Sequence, residues 1–184
     1  MRIIPSWIRD FISGTDDHVP EGPAAGADRG GEPRSITAND LIPELKQWNN
    51  GEGITADGWI ACVGDYEHLI GYAQLLWPDF LEHDGCTFLA ANFDEKYYRN
   101  WMKTCKRNRK SVEMVVNHQH IVDIFPNVQS DLTEDVILYI GRLLKQTWAA
   151  KLKQDFPSKN FSISFPEDDI TDLTDYEITF FEDR

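Results

Sequence analysis

The sequence predicts an α+β fold: a predominantly helical single domain whose five or more helices pack on a small, mainly antiparallel sheet. Three observations predict it. Apolar residues recur at helical spacing in most segments between residues 36 and 156. Two runs near the C-terminus, NFSISF and YEITFF, alternate with period two instead. Between these regions Asp84-Gly85 is a tight-turn signal leading into a strand-like run. Strands are expected at Cys86–Ala90, Phe161–Phe165 and Tyr176–Phe181.

Taken in order, residues 1–13 place Ile4, Trp7, Ile8, Phe11 and Ile12 on one stripe of a short amphipathic arm. Such a helix is too brief to stand alone in water and must dock. Its own domain is the favoured platform, then a partner, then a membrane surface. Residues 14–35 hold five Gly and three Pro, with Val19 as the one sizeable aliphatic. They read as a disordered linker with a reach on the order of 25 Å, with His18 solvated. Residues 36–184 form the domain.

Asp40 can cap a helix running to Trp48, with Pro43 in its first turn. Thr55 can cap a shorter one bearing Trp59, Ile60 and Val63, stopped by Gly64. Asp65 caps the next, where Leu69, Ile70, Tyr72, Ala73, Leu76 and Trp77 leave so little polar surface that burial on most sides is expected. Asp94 opens a helix striped by Tyr97, Tyr98, Trp101, Met102 and Cys105. After the polar break KRNRK comes a helix over Val112–Phe125. A long helix begins at Glu134 and Asp135 and reaches about Phe156, with Pro157 terminating it.

The segment MVVNHQHIVDIF carries the densest chemistry. If Val112–Phe125 coils regularly, residues two apart diverge widely. His118 then shares an apolar face with Met114, Val115, Ile121, Val122 and Phe125. His120 lies opposite with Glu113, Asn117 and Asp123, as an ordinary surface partner of Asp123. On that geometry the two rings cannot chelate one ion, and no metal ligand set is assigned. His118 is read as a core histidine. The functional alternative is a general base in a pocket with Asn117 and Glu82. His83 and Asp84 belong to the tight turn, and His68 to the start of its helix.

Composition narrows the classes. Net charge is −13, the wrong sign for displacing counterions from a duplex, so nucleic acid is disfavoured as a partner. Cys62, Cys86 and Cys105 form no CxxC pair and fit a reducing compartment. No apolar run approaches the length of a membrane span, and a cytoplasmic location is expected. Phosphate-loop, dinucleotide, nucleophile-elbow and zincin patterns do not occur, and no cofactor is implied. KTCKRNRK, with five bases, reads as a helix connection before an anion contact. Glu167–Arg184 holds eight acids and one base. Glu167, Asp168, Asp169, Asp172 and Asp175 are therefore the candidate contacts for a basic partner.

WIACVGDYEHLIGYAQLLWPDFLEHDGCTFL, SVEMVVNHQHIVDI and DYEITFF together resemble a widespread family of uncharacterised bacterial proteins over about residues 40–181. The resemblance implies a complete single domain and brings no activity. The functional expectation is a non-enzymatic cytosolic protein-binding domain, immunity-like in its small acidic character. The alternative is a small hydrolase or ligand-binding protein with a pocket near His118.

Overall fold

A computed structural model describes residues 36–127, 132–167 and 170–184. The arm, the linker, Asp168 and Asp169 lie outside the described residues. The described chain forms six α-helices with short 3-10 turns and two small antiparallel sheets, an α+β arrangement. None of these helices is long and apolar enough to cross a membrane.

α1 spans Ala38–Leu41 and stops well short of Trp48. Ile42 sits at φ −114°, ψ 88°, because a residue before proline is barred from the helical region. Pro43–Gln47 then continues as a 3-10 turn, so the expected single helix is two pieces. α2 (Ala56–Val63) and α3 (Tyr66–Leu76) begin at the predicted caps. The Thr55 hydroxyl accepts from Gly58 N, and the Asp65 carboxylate accepts from Glu67 N and His68 N.

β1 (Phe80–His83) and β2 (Cys86–Leu89) form a hairpin in which His83 faces Cys86. Asp84 and Gly85 have φ of 50° and 73°, the left-handed pair that a two-residue hairpin turn demands. α4 (Glu95–Thr104) starts at the Asp94 cap, and α5 (Arg109–Val116) at an Asn108 cap. β3 (Gln119–His120) follows, then α6 (Glu134–Asp155), β4 (Phe161–Ser164) and β5 (Glu177–Glu182). The second sheet has the order β3-β5-β4, so β5, the last strand in sequence, is central.

Burial is divided between two clusters. The larger joins Ile137, Leu144, Trp148 and Leu152 of α6 to Ile178 and Phe180 of β5 and to Tyr176 just before it. The smaller joins Cys86 and Phe88 of β2 to Tyr98, Cys105, Val112 and Val116. The two sheets are not hydrogen-bonded to each other. Two side chains of α5, one turn apart, bridge them. Glu113 accepts from Thr87 N (2.8 Å) in β2 and Glu182 N (3.1 Å) in β5. Asn117, just past the helix end, bonds Leu89 N, Thr87 O and Phe180 O. Both side chains are fully buried. The polar positions of α5 thus act as a seam between sheets.

Gly141 lets the Phe165 ring, just past the end of β4, lie directly against α6. A Cβ there would lie 2.0–2.5 Å from three ring atoms of buried Phe165. Overpacking of this kind costs about 1–3 kcal/mol, more than the ~1 kcal/mol that alanine adds in a helix interior. Gly141→Ala should therefore lower the urea midpoint, and a second change, Phe165→Leu, should recover part of the loss. A stabilised single mutant would show that the ring yields freely.

Candidate functional site

α5 stops where the apolar periodicity would carry it onward. The reason is tertiary. Asn117 Oδ1 accepts from Leu89 N (3.0 Å), and Nδ2 donates to the carbonyls of Thr87 (2.9 Å) and Phe180 (3.2 Å). Those bonds hold residue 117 as the helix cap and turn the following chain toward β5. Gln119 then pairs with Ile178, and His120 with Glu177. The expectation of a regular helix over Val112–Phe125 is overturned, and with it the divergence of the histidines. In extended backbone, residues two apart project to one face.

The two imidazoles meet. His118 Nε2 lies 3.1 Å from His120 Nε2, with ring centroids 4.9 Å apart. Each ring presents its other nitrogen to a backbone carbonyl. His120 Nδ1 is 2.7 Å from Thr174 O, and His118 Nδ1 is 3.4 Å from Val115 O. Glu177 enters from the partner strand with Oε1 3.7 Å from His120 Nδ1. One donor atom from each of His118, His120 and Glu177 lies within 4.8 Å of the others, close enough to surround a metal ion. His118 and Glu177 are buried, and His120 is partly exposed, giving the group one wall toward solvent. His118 is thus the buried histidine the sequence suggests. His120 directs its Nδ1 to Thr174 instead of forming the expected surface pair with Asp123.

The sequence carried a signal for this group. His-x-His is strand spacing, and the asparagine before it is a residue that ends helices. Glu177, fifty-seven positions further on, offered none.

The other candidates lie elsewhere. Glu82 pairs with Lys159 on the exposed side of the hairpin, while Asn117 is consumed by the sheet seam. Glu82, Asn117 and His118 are held by different partners: Lys159, the sheet backbone and His120. His83 points to Glu95 (3.1 Å) and Asp84 (3.6 Å), and its ring abuts Tyr98. His68 is exposed on α3. Burial pushes the Cys86 and Cys105 thiols up to about 11, which leaves neither as a thiolate nucleophile at neutral pH.

Among the acidic candidates, Glu167 accepts from Lys145 (2.9 Å) and Arg142 (3.1 Å) of α6. The Lys145 hydrogen bond, helped by Arg142, holds its carboxyl below the usual range. Asp172 is held low by hydrogen bonds from Thr174 N and then its hydroxyl, as a turn cap. Asp175 is exposed. Two of the three described candidates, Glu167 and Asp172, are thus engaged within the chain. Likewise, Arg107, Arg109 and Lys110 share one open depression with Glu182 and Asp183.

A larger departure from expectation concerns α2 and α3. Every residue from Ala61 to Gln74 is exposed, which overturns the reading of α3 as buried on most sides. Ile60 is 58% exposed, Tyr66 86%, Leu69 63% and Ile70 67%. α3 is fastened at its C-terminal end, where Leu75 and Leu76 reach the large core and Leu75 O accepts from Trp148 Nε1 (3.0 Å). Its composition reads as buried because nothing in a sequence separates an apolar surface meant for the domain's own core from one left outside it. Comparison with protein-family models, with curated proteins and with solved structures returns no match.

Proposed function

We propose that this chain is a non-enzymatic cytoplasmic protein-binding domain whose contact surface is the exposed apolar face of α2 and α3. The observation that carries the reading is the unbroken exposure from Ala61 to Gln74, which includes Val63, Tyr66, Leu69, Ile70 and Tyr72. Contiguous exposed apolar patches of this kind mark interaction sites. Fully covering one large aliphatic side chain yields about 1.5–3 kcal/mol.

Charge defines the partner. From Gln47 to Glu95 the chain has no lysine or arginine, while Asp57, Asp65 and Glu67 lie on or beside the exposed helices. An amphipathic segment with an apolar stripe and basic flanks meets both requirements. The contact thus moves from the Glu167, Asp172 and Asp175 candidates to α2 and α3; Glu167 already has two cations. An immunity-like role toward a basic partner belongs to the same proposal, as does membership of the bacterial family that the sequence resembles. The hydrolase alternative is weaker, since Asn117 is fully buried and both its polar atoms are engaged by the sheet backbone.

A photo-cross-linking residue at Tyr66 of the full chain, expressed in its native host, tests this. The expected adduct is with a distinct basic protein, and binding by the two purified proteins should fall at least tenfold in Ile70→Asp. Because Ile70 is exposed, its thermal midpoint should hardly move. Adducts only with residues 1–13 of the same chain, or only with a second copy, would overturn the proposal.

A further inference from the structure

We propose that His118, His120 and Glu177 form a binding site for a divalent transition-metal ion of the zinc class, clamping the end of α5 and β3 onto β5. The site is independent of the helical face and would stand if that reading failed.

The argument begins with protons. A backbone carbonyl can only accept, so a ring nitrogen bonded to one must carry hydrogen. Both Nδ1 atoms face carbonyls, those of Val115 and Thr174. In the neutral rings, both Nε2 atoms then carry lone pairs, and these lie 3.1 Å apart. Two lone pairs at that distance repel unless a cation lies between or beside them. A proton is one solution and a metal ion is the other.

Three features favour the metal. First, bonds of 2.0–2.1 Å at a tetrahedral angle separate two ligand nitrogens by about 3.3 Å, close to the spacing observed. Second, metal-bound histidines commonly donate their other N–H to a carbonyl or carboxylate, which fixes the tautomer. Both rings here already have that arrangement. Third, Glu177 stands beside the ring pair on the facing strand, its Oε1 3.7 Å from His120 Nδ1, and with the two histidines makes a two-histidine, one-carboxylate group of the kind suited to zinc and its neighbours. The ligands come from two elements separated by more than fifty residues in sequence, so binding would tie them together.

Chelator-treated full-length protein titrated with zinc, and separately with cobalt(II), is the test. With free zinc at a hundredfold excess over Kd, the thermal midpoint should rise by about 5–10 °C. Cobalt(II) should develop the visible absorption of a tetrahedral site with nitrogen ligands. The part-exposed ligand provides the informative variant. His120→Gln should keep a metal-free midpoint near that of the parent while losing both the absorption and the zinc shift. Glu177→Gln should weaken zinc binding at least tenfold. Absence of zinc binding by the parent would assign the paired rings to a shared proton and overturn the proposal. So would a zinc shift that persists in His120→Gln, since it would arise from other histidines.

Discussion

Glu113→Ala is expected to destabilise the domain by about 3–5 kcal/mol, because it leaves two buried backbone amides unsatisfied at about 1–3 kcal/mol each and removes a charge-assisted pair. The carboxylate is fully buried and serves four donors. Two are backbone amides, Thr87 N and Glu182 N, belonging to different sheets. The other two come from the forked guanidinium of Arg184, at 2.8 and 3.1 Å. Alanine strands both amides and leaves Arg184 with only Gly85 O and the Glu182 carboxylate as partners. Arg184→Ala should cost somewhat less, about 2–4 kcal/mol: it leaves the buried Glu113 carboxylate without its cation, but the side chain removed is 30% exposed and Glu113 keeps its two amide donors. The double mutant should lose less than the sum of the two, since both act through one network. Urea denaturation of the four proteins measures this. A Glu113→Ala loss under 1 kcal/mol would show that the sheets hold together without the seam.

How much of this was legible depends on the range of the forces. Caps are local, and Thr55, Asp65, Asp94 and the Asp84-Gly85 turn all stand where side-chain chemistry puts them. The strand pair β4–β5 follows from alternation alone, and the register sets Phe161 opposite Glu182. The break of the first helix at Ile42-Pro43 is local, but the other failures share one cause, which is that tertiary partners are invisible in a linear pattern. Glu113 and Asn117 read as the solvent side of a helix because they are polar. They are buried because β2 and β5, strands of different sheets, present the groups that satisfy them. Leu69 and Ile70 read as core because they are apolar, yet no described element covers them. The histidine pair was misread for the same reason. Its conformation is decided by Asn117, whose hydrogen-bond partners are remote in the chain.

Asn117→Leu is therefore expected to have the second large effect, about 3–5 kcal/mol. Leucine fills similar space but offers no polar atom. Leu89 N, Thr87 O and Phe180 O would each lose a side-chain partner in a buried setting, at about 1–3 kcal/mol per unsatisfied group. Local propensity pulls the same way, because leucine favours another helical turn where asparagine favours an end. The direct readout is hydrogen exchange. The Leu89 amide should lose protection by more than the global destabilisation accounts for, whereas amides in the middle of α6 should track the global value. A second consequence separates this residue from a generic core position. Any lengthening of α5 past residue 117 swings His118 and His120 apart, so Asn117→Leu should bind zinc more weakly than Gly141→Ala does, when both are compared well below their midpoints. Equal zinc affinity in the two variants would mean that the ring pair is held by β3–β5 pairing alone. Asn117 is thus the point at which the fold and the metal-binding geometry depend on the same three hydrogen bonds.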